Sequence, residues 1–163
     1  MILPLLKYPD RRLSHPCRLI EPEEVGEVVQ DLLDTLDSLG SVAGLAAPQI
    51  GHLVQVAIAE TATGHLVLIN PELLWSDGTQ REREGCLSFP NTFGWVERPE
   101  KIKIRSLDQE GESFEAEAEG FDARVILHEM DHLQGKLFID RLGKVGKRLV
   151  LKRYAKIRKR TND

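Results

Sequence analysis

Two histidines lie four residues apart in a short segment that also contains a glutamate. The segment runs from His128 to His132 and reads H-E-M-D-H, an example of H-E-x-x-H. Imidazoles at this spacing share one face of a helix and can bind the same cation, while the adjacent carboxylate can transfer protons. The pattern predicts His128 and His132 as metal ligands and Glu129 as an acid/base catalyst. A surface helix with two solvated histidines is the alternative.

A catalytic metal site of this kind needs a third protein ligand and an open position for water. After His132 the only carboxylates are Asp140 and Asp163. Phe138 stands where the longer protease pattern H-E-x-x-H-x-x-G-x-x-H has its third histidine. Cys86, in the segment E-G-C-L-S, is the remaining candidate, because a thiolate binds Zn²⁺, Fe²⁺ or Co²⁺. A buried structural cysteine is the other interpretation.

A third segment, residues 44–51, reads G-L-A-A-P-Q-I-G. Its small residues allow a backbone or a substrate to come close, and Gln49 presents an amide donor that can stabilise an oxyanion. Taken alone, the segment indicates only a tight loop between a helix and a strand.

Hydrophobic spacing predicts the elements that must position these residues. The pattern indicates a helix that begins at Glu21-Pro22 and ends at Gly40, followed by strands at 53–59 and at 65–70, the second ending at Pro71. A hairpin is predicted at 101–107 and 112–119, then a helix at 121–133 and a basic helix at 144–160. One helix, several strands and two further helices favour an α+β fold over a parallel sheet.

Together the three segments resemble the three motifs of the peptide deformylases, in the same order and at similar separations. The similarity extends from Tyr8-Pro9-Asp10 to the segment G-K-L-F-I-D at 135–140. It implies an α+β fold with mixed or antiparallel strands around a central helix that bears H-E-x-x-H, and a C-terminal helix. It also implies a hydrolase that removes the N-formyl group from the N-terminal formylmethionine of nascent polypeptides and releases formate.

The resemblance implies a role for each matching residue. One divalent metal per chain would be held by Cys86, His128 and His132, with Fe²⁺ expected and Zn²⁺, Ni²⁺ or Co²⁺ as alternatives. Glu129 would be the acid/base catalyst, and the Gln49 amide and the Leu87 backbone N–H would face the oxyanion. Gly44 and Gly85 would lie in the backbone segments that flank the extended substrate.

The helix before His128 is predicted to bind the methionine side chain of the substrate. Phe121 and Val125 lie about two turns and one turn before this histidine on the same face, so they can line an apolar pocket with Arg124 at its edge. Ordinary core packing is the alternative for both apolar residues.

Two residues depart from the family pattern. Val42 stands where a glycine is usual, and a positive φ there would strain a β-branched residue. Leu127 replaces the glutamine that commonly precedes the first histidine, which removes a possible hydrogen bond near the metal. We expect both changes to affect substrate preference or rate and to leave the reaction type unchanged.

Composition fits a globular chain, with 41% hydrophobic and 29% charged residues among 163. The length predicts one domain over residues 1–163, and no stretch is apolar enough for a membrane span. Only two cysteines are present, and no secretory signal is recognisable. We expect a monomeric, cytoplasmic protein that does not associate with membranes.

Charge is distributed unevenly along the chain. Residues 1–141 carry 13 basic and 25 acidic residues, whereas residues 142–163 carry 9 basic residues and one acidic residue. The basic C-terminal helix either contacts an RNA such as that of the ribosome or is simply solvated. The competing function class is a non-catalytic RNA- or ribosome-binding module with a structural metal, for which Cys17 is the spare fourth ligand.

Overall fold

A computed structural model describes residues 1–162 of the chain. Five antiparallel strands form one sheet, and two further strands pair in a separate ribbon. The predicted α+β class is confirmed. The helices are α1 (Val25–Ser38), α2 (Gly120–Leu133) and α3 (Lys144–Asn162). The strands are β1 (Gly44–Ala46), β2 (Val56–Thr61), β3 (Gly64–Asp77), β4 (Gln80–Cys86), β5 (Phe89–Arg98), β6 (Lys101–Leu107) and β7 (Ser113–Glu119). The order in the five-stranded sheet is β1-β2-β3-β6-β7, and β4 and β5 form the ribbon.

Helix α2 lies across one face of the five-stranded sheet. Its residues Ala123, Ile126 and Leu127 belong to a core cluster that includes Ala57 and Ala59 of β2. Alanine side chains on the strand allow the helix to approach closely, and each larger buried apolar side chain contributes about 1.5–3 kcal/mol. The helix that bears H-E-x-x-H is thereby fixed against the sheet.

The opposite face of the same sheet packs against α1. Successive side chains of a strand point to opposite faces, so Val56 and Ile58 of β2 face away from α2. They form a second core cluster with Leu32 and Leu36 of α1 and with Leu45 of β1. The sheet therefore lies between two helices, and the short strand β1 is held from both sides.

Helix α3 covers a third core cluster next to the β4–β5 ribbon. Val150 and Tyr154 of this helix pack with Phe89 of β5 and with Phe138. The Tyr154 hydroxyl donates a hydrogen bond of 2.6 Å to the backbone oxygen of Tyr8. The predicted basic C-terminal helix is confirmed, and one of its faces is buried. Among the described residues, none of the helices combines the length and the apolar character needed to cross a bilayer.

The sheet prediction is wrong at one strand end and lacks two strands. Strand β3 does not end at Pro71 but continues to Asp77, because a register shift between Ile69 and Glu72 leaves the proline at an irregular position of the β3–β6 pairing. The β4–β5 ribbon was not predicted. Its first strand reads Q-R-E-R-E-G-C and has no alternation of apolar residues from which a strand could be recognised.

Candidate functional site

Cys86, His128 and His132 come together where the end of β4 meets α2. Their ligand atoms all lie within 4.8 Å of one another, and Cys86 Sγ is 3.4 Å from His132 Nε2. One thiolate and two imidazoles at this separation fit a single divalent cation. Both histidines are buried, so the alternative of two solvated histidines on a surface helix is wrong.

Cys17 is not part of this group. Within residues 1–162 the only clustered candidates for metal ligands are the three residues above, and Cys17 is a separate buried thiol. Burial raises the pKa of Cys17 to about 11, so its thiol stays protonated near neutral pH. Residues 1–162 therefore bring together three candidate ligands, as in a catalytic site, and not the four of a closed structural site.

Glu84 fixes the orientation of the first histidine. His128 Nδ1 donates a hydrogen bond of 2.5 Å to Glu84 Oε1, which leaves Nε2 as the atom available to a metal. Arg98 donates to both carboxylate oxygens of Glu84 at 2.9 and 2.6 Å, and Arg124 adds a third contact at 2.6 Å. Burial alone would raise the pKa of Glu84, but the hydrogen bonds from Arg98 and His128 outweigh it and hold that pKa well below its usual range.

The charged network continues from Arg98 to the surface. Arg98 Nη1 donates to Asp131 at 3.0 Å, and Arg141 donates to the same carboxylate at 3.0 and 2.6 Å. Sequence reasoning missed Glu84, Arg98, Asp131 and Arg141. The only signal was the position of Glu84 two residues before the proposed ligand Cys86.

Glu129 lies in the same site and is almost fully buried. Its Oε1 has no hydrogen-bond partner among the described residues, and burial raises its pKa to about 7. A carboxyl group with this pKa can both accept and return a proton near neutral pH. A β-carbon added to Gly44 would lie 2.7 Å from Glu129 Oε2, so only glycine leaves room for the carboxylate.

The two histidines differ in their preferred charge. Burial lowers the pKa of His132 and favours the neutral imidazole that a metal ligand requires. Burial acts in the same direction on His128, but hydrogen bonds with Cys86 and Glu84 outweigh it and raise the pKa of His128. The surroundings therefore shift the pKa values of the two imidazoles in opposite directions.

Gln49 is held rigidly beside the thiol. Its Nε2 donates to Cys86 Sγ at 3.6 Å and to Ser88 Oγ at 3.1 Å, while its Oε1 accepts from the backbone of Ala46 at 3.0 Å. Ser88 in turn donates to the backbone oxygen of Leu6 at 2.7 Å. The amide nitrogen is thus aimed at the metal ligands, and Ser88, which was not predicted, positions it.

A cleft of about 580 Å³ opens beside the ligands. Phe121 is exposed at its rim, Val125 is buried in its wall, and Arg124 is almost fully buried with its guanidinium on Glu84. Of the residues predicted from the sequence, all but His132 line it: Gly44, Gln49, Gly85, Cys86, Leu87, Phe121, Arg124, Val125, His128 and Glu129.

The two departures from the family pattern have different environments. Val42 lines the cleft and is not among the residues with positive φ. The backbone strain that a positive φ would cause is therefore absent at this position. Leu127 is buried in the core cluster of α2 and the sheet. A leucine there contributes apolar packing instead of a polar contact.

Comparison with known proteins identifies the family. The sequence profile described as "Polypeptide deformylase" matches residues 2–148. The chain is also 48% identical over 140 residues to a protein named "Peptide deformylase" from Clostridium botulinum (strain Alaska E43 / Type E3), and the match covers 85% of this chain and 95% of that protein. The chain belongs to the peptide deformylase family.

Solved structures of peptide deformylases have the same fold. The crystal structure from Legionella pneumophila matches with a TM-score of 0.88 at 33% identity, covering 99% of this chain and 98% of that one. The structure from Synechococcus elongatus, which is in complex with actinonin, matches with a TM-score of 0.85 at 34% identity, covering 94% and 86%. The chain is a metal-dependent deformylase of N-formylmethionyl peptides, and the non-catalytic alternative has no support.

Proposed function

We propose that this deformylase holds one divalent metal through Cys86, His128 and His132. The observation that carries the proposal is the convergence of these three ligand atoms beside the buried carboxylate of Glu129. When bound, the cation supplies Lewis-acid polarisation of the formyl carbonyl and increases the acidity of water. The surrounding residues supply the proton transfer, the hydrogen bonds and the substrate contacts.

The substrate extends between two glycine-containing segments of the cleft. Gly44 begins β1 and Gly85 lies near the end of β4, and both line the cleft. At each position the absence of a side chain allows another chain to come close. The methionine side chain enters the apolar region formed by Phe121 and Val125, because burial of an apolar side chain there is favourable.

Glu129 moves the proton during hydrolysis. Its carboxylate accepts a proton from the attacking water while the new carbon–oxygen bond forms at the formyl carbon. It then returns the proton to the amine nitrogen as the carbon–nitrogen bond breaks, which yields formate and a free N-terminal methionine. The Gln49 Nε2 and the Leu87 N–H donate to the oxyanion, and each such donor contributes about 2.7–4 kcal/mol in comparable sites.

The test is formate release from formyl-Met-Ala-Ser by protein purified without oxygen, with metal analysis of the same sample. We expect one metal per chain, turnover by the wild-type protein, and a Glu129→Ala variant that retains the metal but loses most activity. Release of internal peptide fragments in place of formate, or full turnover by Glu129→Ala, would overturn the proposed roles.

Fe²⁺ is the metal we propose for this site. A ligand set of one thiolate and two imidazoles suits Fe²⁺ as well as Zn²⁺, Ni²⁺ and Co²⁺, and the thiolate of an iron site is open to oxidation. Protein isolated anaerobically should contain iron and lose activity in air faster than the same protein reconstituted with Ni²⁺ or Co²⁺. Equal lifetimes in air would count against iron.

We propose that α3 contacts the ribosome through its exposed basic face. Deletion of this helix would uncover Val150 and Tyr154, so neutralisation of exposed charges is the better test. The triple variant with glutamine at Lys152, Arg153 and Lys156 should bind ribosomes more weakly and with a smaller dependence on salt. A matched triple variant at Lys101, Lys103 and Arg105 of β6 should bind as the wild type does, and equal binding by both would remove the proposal.

The remaining proposals concern the state of the protein in the cell. We propose that the protein is a monomer and that it lies in the cytoplasm. The unpaired thiol of Cys17 supports the location, because it suits a reducing compartment. Sedimentation should give the mass of a single chain, and a stable dimer at micromolar concentration would contradict this.

A further inference from the structure

One face of the β4–β5 ribbon exposes two aromatic rings to solvent. Phe93 and Trp95 are two residues apart in β5, and 41% and 55% of their surfaces are accessible to solvent. Residues two apart in a strand project from the same face. In the ribbon Gly85 is the register partner of Phe93, and Arg83 is the partner of Trp95. The same face therefore carries exposed arginines on the neighbouring strand.

Each ring is covered by an arginine. The guanidinium carbon of Arg83 is 4.3 Å from the ring centroid of Phe93, and that of Arg81 is 5.4 Å from the ring centroid of Trp95. Cation–π contact of this kind orients the guanidinium and leaves its N–H edge available. Among residues 1–162 neither arginine forms an ion pair within 4.0 Å or a side-chain hydrogen bond, although Glu97, the register partner of Arg81, lies on the same face. Both guanidinium groups are therefore oriented and keep N–H groups available.

This surface is continuous with the cleft. Arg83 and Phe93 line the cleft, and a β-carbon on Gly85 would lie 2.7 Å from the Phe93 ring, so the glycine lets this ring lie across the strand at the cleft wall. Trp95 and Arg81 continue the surface one step outward, about 7 Å farther along the ribbon at the rise of a strand. An extended chain that leaves the cleft on this side meets both arginines in turn.

We propose that the Arg81–Arg83 face of the β4–β5 ribbon binds acidic side chains of the substrate peptide beyond its third residue. The inference rests on the proposed function, because its occupant is the downstream part of the formylated peptide. The ribbon thereby makes this deformylase favour nascent chains with early acidic residues.

The surroundings favour a peptide over RNA as the occupant. Residues 1–141 carry 25 acidic residues against 13 basic ones, and Glu82 and Glu97 lie on the same two strands as the arginines. A continuous phosphate backbone has to pass Glu97, the register partner of Arg81, whereas a single acidic side chain needs contact with one guanidinium only. Two exposed charges are also few for an RNA site, whose affinity grows with the number of phosphates neutralised.

The test uses three hexapeptide amides of sequence formyl-Met-Ala-Ser-X-X-Ala, in which X-X is Glu-Glu, Gln-Gln or Lys-Lys. With metal-loaded wild-type protein at low salt, kcat/KM for Glu-Glu should exceed that for Lys-Lys by roughly three- to tenfold, the size expected of a few exposed charge contacts. The preference should decrease at 0.5 M salt because exposed charges are screened. Arg81→Gln should reduce the logarithm of the Glu-Glu to Lys-Lys ratio of kcat/KM by at least half.

The controls separate this inference from the proposed function. Arg105→Gln changes an exposed arginine on β6 outside the cleft and should keep the full preference. If formyl-Met-Ala-Ser amide is hydrolysed but the three hexapeptides react equally, the ribbon inference is overturned and the proposed function stands. If metal-loaded protein hydrolyses none of the four, the proposed function itself fails. If the hexapeptides react equally and Arg81→Gln weakens salt-dependent binding to ribosomal RNA, the face belongs to RNA and the inference is overturned.

Discussion

Gly44 and the carboxylate of Glu129 are so close that a β-carbon at position 44 would lie 2.7 Å from Oε2 and 2.7 Å from the backbone oxygen of Ile58. The backbone oxygen is held in the sheet, so the carboxylate must move. We predict that Gly44→Ala lowers kcat by about 100-fold, a loss typical of a displaced catalytic group. Formate release and bound metal should be measured together.

Gly26→Ala is the matched control for this change. Nothing lies within 4 Å of a β-carbon at Gly26, and the residue is in the first turn of α1. Alanine there should leave kcat unchanged and increase stability slightly, by up to about 1 kcal/mol. A Gly44→Ala enzyme with normal kcat would show that the Glu129 carboxylate tolerates displacement.

The two cysteines should respond differently to substitution by serine. Cys86→Ser should lower metal affinity by at least about 100-fold, because loss of a ligand exceeds the 10–100-fold effect of losing an outer-shell partner. Cys17→Ser should keep full occupancy, since Cys17 lies outside the ligand cluster and its pKa of about 11 keeps the thiol protonated. Metal content after dialysis is the measurement, and equal losses would restore the closed-site interpretation.

Removal of the Glu84 charge should destabilise the fold in a pH-dependent way. Glu84→Gln leaves Arg98 and Arg124 without their buried carboxylate, which costs about 3–5 kcal/mol at pH 7. Because the folded-state pKa of Glu84 is depressed, its stabilisation is present above the ordinary glutamate pKa and is lost as pH falls below it. The difference in the free energy of unfolding between the wild type and Glu84→Gln should decrease by about 2 kcal/mol between pH 6 and pH 3.

Urea unfolding of metal-free protein at pH 6 and pH 3 measures this difference in the free energy of unfolding. Glu82→Gln, at an exposed position of the same strand, should change the free energy of unfolding by less than about 0.5 kcal/mol. If this difference stays constant from pH 6 to pH 3, the ionised Glu84 carboxylate is not the source of the stabilisation.

The pocket assignment of Val125 can be tested by enlarging the side chain. Val125→Trp should raise KM for formyl-Met peptides at least about tenfold, because a bulky ring occupies the apolar space that the methionine would enter. Its effect on metal content should be much smaller, since the side chain is not a ligand. KM and metal content should be measured on the same preparation. An unchanged KM would mean that Val125 contributes to core packing only and does not line the methionine pocket.

The sequence predicted the parts of the site that lie in single short segments. His128, Glu129 and His132 share one helix, so their spacing alone places them together. Cys86 could be selected because few other ligand candidates exist. The partners of Glu84 could not be found in this way, since Arg98 and Arg124 come from other elements and meet it only after β4, β5 and α2 have packed together.

The same limit explains the missed ribbon. Arg81 and Arg83 alternate with glutamates, which gives no apolar period, and the rings that they cover lie on the next strand. β4 and β5 are consecutive strands, so their pairing is local, but without an apolar period in β4 the pattern does not show that this segment is a strand.

The four hydrogen bonds on Glu84 have a consequence for metal choice. Because the carboxylate is held by Arg98 and Arg124, the imidazole of His128 has one orientation before any cation arrives. We therefore expect divalent ions of similar radius to compete for this site without any rearrangement of His128. The supply of each ion during synthesis should then weigh in the outcome alongside its affinity.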